Sequence, residues 1–209
     1  MKILYYITAH GYGHGVRSCA VCNELPENIA LTFRTDIPES FFQRELSRPF
    51  SYYPGTFDCG CIQHDSITVD REATLERYSE IARRNERIVD EEVRWCNNND
   101  ISLILSDITP FAFVVAAQAG IPSMAVTNFT WYDIYAPYTR AFPRFAPVVE
   151  TMRTHYALAD TVCALSPPNA MKCFGNRIET DIVGRYGTSV RRELFHRYAI
   201  PPGHSLGLI

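Results

Sequence analysis

The first fifteen residues constrain the fold more than any other stretch of the chain. Lys2 to Thr8 is an apolar, partly β-branched run, which is typical of a strand buried on both faces. A glycine-rich turn, His10 to Gly15, follows it, and Val16 to Leu25 is predicted to be a helix. A strand, a glycine-rich turn and the start of a helix bring backbone N–H groups close to a bound anion. The N-terminus of the chain is therefore predicted to contain a ligand-binding turn.

Two histidines flank this turn and give it a chemical capacity that glycines alone lack. The glycines do not match the dinucleotide-binding spacing G-x-G-x-x-G, and no Lys-Ser/Thr pair follows as in a P-loop. Imidazole can transfer protons near neutral pH without a large shift of its pKa. We therefore expect His10, Gly11, Gly13 and Gly15 to contact a phosphate or a sugar, with His14 as a candidate base. A tight turn that binds nothing is the alternative interpretation.

The composition is that of an ordinary globular chain. Its 209 residues, of which 46% are hydrophobic, are enough for one domain with a sizeable core. The formal net charge is -3. No block of Lys and Arg favours nucleic acid as a partner, and no apolar run approaches the roughly 18 residues of a membrane span. The start of the chain does not resemble a signal peptide. We expect a cytoplasmic protein, and peripheral contact with a membrane stays open.

Strand patterns and helical patterns alternate along the chain. This alternation predicts an α/β fold with a doubly wound parallel sheet, Rossmann-like, with strand order 3-2-1-4-5 at its centre. The predicted strands are Lys2–Thr8, Ile29–Arg34, Phe50–Tyr53, Ile101–Ser106, Ser123–Thr127, Asp160–Leu165 and Thr180–Val183. The predicted helices are Val16–Leu25, Pro38–Leu46, Val69–Asn98, Pro110–Ala119 and Thr188–Tyr198, with Pro-broken helical segments before Ala159. The loop Thr56–Thr68 is long, and its apolar residues predict that it is ordered.

The last residues of the chain interrupt this alternation. The segment 184–187 breaks the pattern, Pro201-Pro202-Gly203 predicts a turn, and Leu206 to Ile209 resembles the beginning of a strand. We expect residues 1–183 to form a Rossmann-like N-terminal domain. We expect residues 184–209 to be a linker that leads to a C-terminal domain.

Polar residues follow three of the predicted strands. His14 comes after the first strand, Asp107 after the fourth, and Asn128, Thr130 and Trp131 after the fifth. The carboxyl ends of parallel strands meet at one edge of the sheet, where doubly wound folds bind ligands, so His14 and Asp107 are expected to come within reach of each other. A carboxylate on one imidazole nitrogen fixes the tautomer and makes the other nitrogen more basic. Such a pair is suited to taking a proton from a sugar hydroxyl.

Each of these residues also has a purely structural interpretation. Asp107 could cap the helix that begins near Pro110, and Asn128 or Thr130 could cap the helix that follows them. Trp131 could be an aromatic residue of the core or of a domain interface rather than a surface on which a sugar stacks.

Seven cysteines are scattered along the chain. Cys19 and Cys22 form a C-x-x-C pair and Cys59 and Cys61 a C-x-C pair, which together could supply four zinc ligands or a redox site. Cys19 and Cys22, however, lie inside a predicted helix, where small buried thiols are common core residues. We therefore predict no metal site, with a thiol or zinc protein as a minor alternative.

Several separated motifs resemble a known family. Ile7 to Arg17 resembles the opening of GT-B glycosyltransferases, in which a Gly-His pair stands at the first strand-to-helix turn. The similarity is greater to the glycosyltransferase-like N-terminal domain of plant L-arabinokinases and their bacterial relatives. It extends to residues 58–70, 106–110 and 126–131, and spans about residues 1–165.

This resemblance implies one half of a GT-B architecture, with His14 as catalytic base and Asp107 as its helper. It implies a sugar or sugar-bearing acceptor as partner, and a donor nucleotide sugar, UDP-linked, held mainly by a C-terminal domain. No metal or other cofactor is implied, and the domain alone is expected to be inactive. The first hypothesis is thus the acceptor-side domain of a nucleotide-sugar-dependent glycosyltransferase. The second is a non-catalytic sugar- or nucleotide-binding module that regulates a larger enzyme.

Overall fold

A seven-stranded parallel sheet forms the centre of the computed structural model, which describes residues 1–184, 187–201 and 203–205. The strands lie in the order β3-β2-β1-β4-β5-β6-β7, so the chain winds outwards from β1 in one direction and then in the other. This confirms the predicted doubly wound α/β fold and its central strand order. The strands are β1 (Lys2–Ile7), β2 (Ala30–Thr35), β3 (Ser51–Pro54), β4 (Leu103–Asp107), β5 (Ser123–Thr127), β6 (Thr161–Leu165) and β7 (Arg177–Thr180).

Helices cover both faces of the sheet. Because side chains alternate along a strand, Ile3 and Tyr5 of β1 pack in a cluster with α1 and α2, whereas Leu4 and Tyr6 pack with α3 and α4. None of the described helices is long and apolar enough to cross a membrane. The helices are α1 (Tyr12–Asn23), α2 (Glu39–Glu45), α3 (Arg71–Asn98), α4 (Phe111–Ala119), α5 (Trp131–Tyr135), α6 (Ala146–Tyr156) and α7 (Arg191–Arg197), with 3-10 turns at Ala136–Arg140 and Pro143–Phe145.

The largest departure from the sequence prediction is the start of α1. The helix begins at Tyr12 rather than Val16, so most of the glycine-rich turn is the first turn of the helix itself. Gly11 precedes it at a φ of 82°, a conformation that glycine adopts without strain. Sequence propensity placed the start later because glycine is a poor helix former.

Smaller differences occur at the end of the sheet and in the tail. The last strand is Arg177–Thr180, three residues before the predicted Thr180–Val183, because this earlier segment pairs with β6. The predicted strand start at Leu206–Ile209, and parts of the predicted break at 184–187 and of the turn at 201–203, lie outside the described residues. The domain boundary at residue 183 stays a prediction.

Gly15 allows α1 and α2 to pack closely. A Cβ atom at Gly15 would lie 2.6 Å from Cε1 of Phe41 and 3.1 Å from Cδ1 of Ile37. Gly13, half a turn away on the same helix, is exposed, and a Cβ atom there would meet nothing within 4 Å. Gly15 is therefore required for packing, and Gly13 is not.

These two positions give a matched pair of variants. Gly15→Ala is expected to lower the free energy of unfolding by about 1–3 kcal/mol, because the added methyl group overpacks the contact with Phe41. Gly13→Ala should raise it by up to about 1 kcal/mol, because alanine restricts the unfolded chain and favours the helix. Urea unfolding of both variants measures the difference. Equal effects at the two positions would contradict the packing argument.

Candidate active site

The sheet brings His14 and Asp107 together. Asp107 is the last residue of β4 and pairs with Ile7, the last residue of β1, so the first turns of α1 lie beside its side chain. Nδ1 of His14 lies 2.8 Å from Oδ1 of Asp107, although the two residues are 93 positions apart. Both are buried, and Asp107 has no exposed surface. The helix α4 has no side-chain cap, so the alternative role of Asp107 as a helix cap is not the one observed.

Arg17 is part of this site, although it is not among the residues that the sequence pattern predicts. Its guanidinium donates two hydrogen bonds to Asp107, from Nε to Oδ2 at 2.6 Å and from Nη2 to Oδ1 at 2.5 Å. It also donates from Nη1 to Oδ1 of Asn128 at 2.6 Å. Arg17 therefore links α1 to the carboxyl ends of β4 and β5, and Asn128 contributes to the site as its partner. Once the helix is known to start at Tyr12, the spacing of three between His14 and Arg17 places them on one face.

The charges that surround Asp107 keep it ionised. Burial alone would raise the pKa of the Asp107 carboxyl, but the neighbouring His14 and Arg17 outweigh it and hold the pKa below its usual value. An ionised Asp107 accepts hydrogen bonds only, so the 2.8 Å contact is attractive when Nδ1 of His14 carries the proton. In neutral His14, Nε2 is then a hydrogen-bond acceptor. The Nη2 atom of Arg17 lies 3.0 Å from Nδ1 and adds a positive charge beside the ring.

The backbone immediately after Asp107 is strained. Ile108 has a φ of 58°, a left-handed conformation that is unfavourable for a β-branched residue. The hydroxyl of the buried Tyr156 donates to the Ile108 carbonyl at 2.5 Å, and the Ser106 hydroxyl donates to the Thr109 carbonyl at 2.8 Å. These bonds hold the sharp turn that ends β4. Strained backbone of this kind is concentrated at functional sites.

A second buried carboxylate anchors the loop 56–68 to the same edge of the sheet. Asp58 accepts hydrogen bonds from the hydroxyls of Thr8 at 2.5 Å and Thr109 at 2.6 Å. Burial raises the pKa of Asp58 above its usual value, which these two hydrogen bonds oppose. Asn85 of α3 donates to the carbonyl of Phe57 at 2.9 Å and fixes the loop from the other side. Phe57 of this loop is buried, whereas Ile67 is 88% exposed, and the order of the whole loop stays a prediction.

This loop lies directly over His10. The backbone N–H of Cys61 donates to Nδ1 of His10 at 3.4 Å, and a Cβ atom at Gly60 would lie only 2.2 Å from Cγ of the His10 ring. The rings of His10 and Trp131 form an edge-to-face pair, with centroids 5.3 Å apart. A cavity of about 280 Å³, lined by residues that include His10, Asp58 and Ile62, opens between the end of β1, this loop and α3.

The remaining predicted ligand-contacting residues have different environments. Gly11 and Gly13 are exposed beside His14, whereas Gly15 is buried against Phe41, and its contact is therefore with α2. Thr130 is fully buried as the N-cap of α5, where its side chain accepts from Asp133 N and forms a capping box. For Thr130 the structure thus gives the capping role that was the alternative.

Trp131 is a core residue that forms part of the wall of the site. It is 2% exposed and contacts the rings of both His10 and His14, with centroids 5.3 and 6.4 Å away. Its indole Nε1 has no hydrogen-bond partner among the described protein atoms. Trp131 therefore packs against both histidines from the core. This is the alternative in which Trp131 is a core residue rather than a surface on which a sugar stacks.

The two cysteine pairs pack in different parts of the fold. Among the described residues, no group of three or more His, Cys, Asp or Glu side chains is arranged to hold a metal ion. Cys19 and Cys22 belong to the cluster under α1, whereas Cys59 and Cys61 pack against a different one. Burial raises the pKa of both Cys22 and Cys59 to about 12, which keeps them as thiols at neutral pH.

The Asp107–Arg17 pair predicts a large effect on stability. Asp107→Asn should lower the free energy of unfolding by roughly 3 kcal/mol, because it leaves the guanidinium of Arg17 without a charged partner. Asp100→Asn, which removes an exposed partner of Lys2, should change it by less than about 1 kcal/mol.

The same pair predicts how this effect varies with pH. Because the pKa of Asp107 is lowered in the folded state, its contribution is fully present above the unfolded value of about 4 and is lost as the pH falls through the folded value. Urea unfolding at several pH values should therefore show wild type and Asp107→Asn converging in acid. A constant difference between the two would contradict the assignment.

No family model matches the chain, but comparisons with individual proteins do find relatives. L-arabinokinase of Arabidopsis thaliana is 33% identical over 194 residues, which are 91% of this chain and 19% of the relative. The chain therefore spans about a fifth of the curated relative that it matches.

Solved structures of plant glycosyltransferases share the fold. UGT89C1 of Arabidopsis thaliana, complexed with UDP, matches with a TM-score of 0.57 and 16% identity over 95% of this chain and 56% of that chain. A UDP-glucosyltransferase from Polygonum tinctorium matches with a TM-score of 0.59 and 14% identity over 96% and 56% of the two chains. The resemblance predicted from the sequence is thus confirmed: this chain has the fold of one half of a GT-B glycosyltransferase and is similar in sequence to part of L-arabinokinase.

Proposed function

We propose that this chain is the acceptor-binding half of a nucleotide-sugar-dependent glycosyltransferase, with His14 as the base that deprotonates an acceptor hydroxyl. The observation that carries the proposal is the 2.8 Å contact between Nδ1 of His14 and the ionised Asp107 at the carboxyl edge of the sheet. In neutral His14 this contact leaves Nε2 available to accept a proton. The fold shared with UDP-glucosyltransferases supports the same assignment.

The reaction needs little more from this half than binding and proton transfer. As the acceptor O–H proton passes to Nε2 of His14, the oxygen attacks the anomeric carbon of the donor sugar and the bond to the diphosphate breaks. Asp107 stabilises the imidazolium that forms. The diphosphate leaves with the electron pair, and its stabilisation belongs to the donor-binding half.

Acceptor binding and donor binding are thus assigned to different halves of the enzyme. Residues 1–183 are the acceptor-side domain, and residues 184–209 lead to a C-terminal domain that binds the UDP-linked donor. The protein acts in the cytoplasm on a sugar or sugar-bearing acceptor, without a metal ion. This chain alone is inactive as a transferase.

Arg17 favours a second candidate function. Its guanidinium Nη2 lies 3.0 Å from Nδ1 of His14, so an imidazolium there forms beside an existing positive charge. A site of this kind is suited to binding a hydroxyl without taking its proton. The second candidate is therefore a non-catalytic sugar-binding module that regulates an attached enzyme, and the kinase name of the sequence relative agrees with it.

Activity in a protein that carries both halves separates these functions. Under the first, His14→Ala should reduce sugar transfer from UDP-sugars at least about a hundredfold, the usual contribution of a general base. His196→Ala, which replaces an exposed histidine of α7, should leave transfer unchanged. Transfer at a near-normal rate in His14→Ala would reject the base assignment.

Ligand binding can be measured on the chain itself. Isothermal titration should show binding of a neutral sugar, with L-arabinose tested first because of the relative, and this binding should weaken in His14→Ala. UDP should not bind, because the donor half is separate. Tight UDP binding that does not depend on His14 would contradict an acceptor site and identify a nucleotide site instead.

A further inference from the structure

We propose that the neutral rings of His10 and His14 are opposite tautomers, so that His10 donates a hydrogen bond to a ligand hydroxyl and neutral His14 accepts one. The ligand this pair selects is a neutral hydroxyl compound rather than a phosphate. The tautomers follow from contacts within the protein, whereas the identity of the ligand as a sugar rests on the proposed function.

The contacts of His14 determine its tautomer. Nδ1 faces Oδ1 of Asp107 at 2.8 Å, and Asp107 is ionised because Arg17 and Ser18 also donate to it. A ring nitrogen without a proton would oppose the carboxylate lone pairs at 2.8 Å. Nη2 of Arg17 lies farther from Nδ1, at 3.0 Å, and donates to Oδ1 of Asp107 at 2.5 Å, so the proton of neutral His14 belongs on Nδ1. In the neutral ring, Nε2 is then the acceptor.

The loop determines the opposite tautomer for His10. The backbone N–H of Cys61 has one proton to donate, and it is directed at Nδ1 of His10 at 3.4 Å. Gly60, at a φ of 61°, lies so close to the ring that no side chain could fit between them. Burial lowers the pKa of His10, which keeps the ring neutral at pH 7. The proton of neutral His10 is therefore on Nε2, which is a donor.

The surrounding charges decide which ligand suits this pair. A ligand hydroxyl can accept from Nε2 of His10 or donate to Nε2 of His14, whereas a fully ionised phosphate oxygen can only accept. Beside His14, the guanidinium of Arg17 already bonds to Asp107 and Asn128, and the carboxylates Asp58 and Asp107 are buried close by. Arg77 lines the cavity beside His10 and is the cation that an anion would meet there. The buried carboxylates oppose an anion at His14, so of the two ligands that the glycine-rich turn left open, His14 favours the sugar.

The tautomers can be observed directly in the wild-type chain. Long-range ¹H–¹⁵N correlation spectra at pH 7 should show a protonated Nε2 and a bare Nδ1 for His10, and the reverse for His14. A charged His10, or a His10 with its proton on Nδ1, would overturn the proposal. This measurement needs neither a ligand nor a variant.

Two variants of Cys61 test the cause. Cys61→Pro removes the backbone N–H and should release His10 to a mixture of tautomers, whereas Cys61→Ala keeps the N–H and should leave the spectrum of His10 unchanged. An unchanged His10 spectrum in a folded Cys61→Pro variant overturns the role of the loop. If Cys61→Pro does not fold, a changed tautomer in Cys61→Ala would overturn it as well.

Variants of His10 test the donor. His10→Phe should weaken L-arabinose binding about tenfold, the usual value of one hydrogen bond, whereas His10→Gln, which keeps an N–H donor, should stay within about threefold of wild type. Inorganic phosphate should not compete with the sugar, and competition that depends on His10 would overturn the proposed selectivity.

The two proposals fail in distinguishable ways. Sugar binding with His10 in the other tautomer overturns the role of His10 and leaves the proposed function standing. The predicted tautomers without binding of any sugar support the assignment and contradict the proposed function.

Discussion

A carboxylate with no exposed surface can stay charged only where the protein replaces its water, and Asp107 depends on such replacement. His14, Arg17 and Ser18 supply it, and all three come from the first turns of α1. Ile108, the residue after Asp107, has a φ of 58° at the sharp turn that ends β4. The position of α1, the tautomer of His14 and the polarity of the whole edge of the sheet follow from this one buried charge.

The two histidines of the site have different hydrogen-bond partners at Nδ1. They lie four positions apart in sequence and contact the same Trp131, yet one faces an ionised carboxylate and the other a backbone N–H. Neither partner is unusual in itself. The difference arises because His14 contacts Asp107 at the end of β4, whereas His10 contacts the loop that Asp58 anchors. The chemistry of the site is thus set by which backbone and carboxyl groups reach each ring.

The sequence was sufficient for the fold and for the approach of His14 to Asp107, because hydrophobic alternation predicts the strands and strand order then predicts which ends meet. It was insufficient for Arg17, since that residue joins the site only if α1 begins at Tyr12, against the low helix propensity of glycine. The contacts of Gly15 with Phe41 and of Asp58 with Thr8 and Thr109 depend on tertiary packing between distant segments. No local pattern contains that information.

The partners of Arg17 lie 90 and 111 positions away along the chain, at the ends of β4 and β5. Contacts of such long range form only after the intervening strands have paired, since each closes a large loop of chain. The network around Asp107 can therefore be complete only when the centre of the sheet is assembled. A partly folded chain would hold helices and strands of native appearance and still have no site, so that the capacity to bind appears in one step with the completed fold.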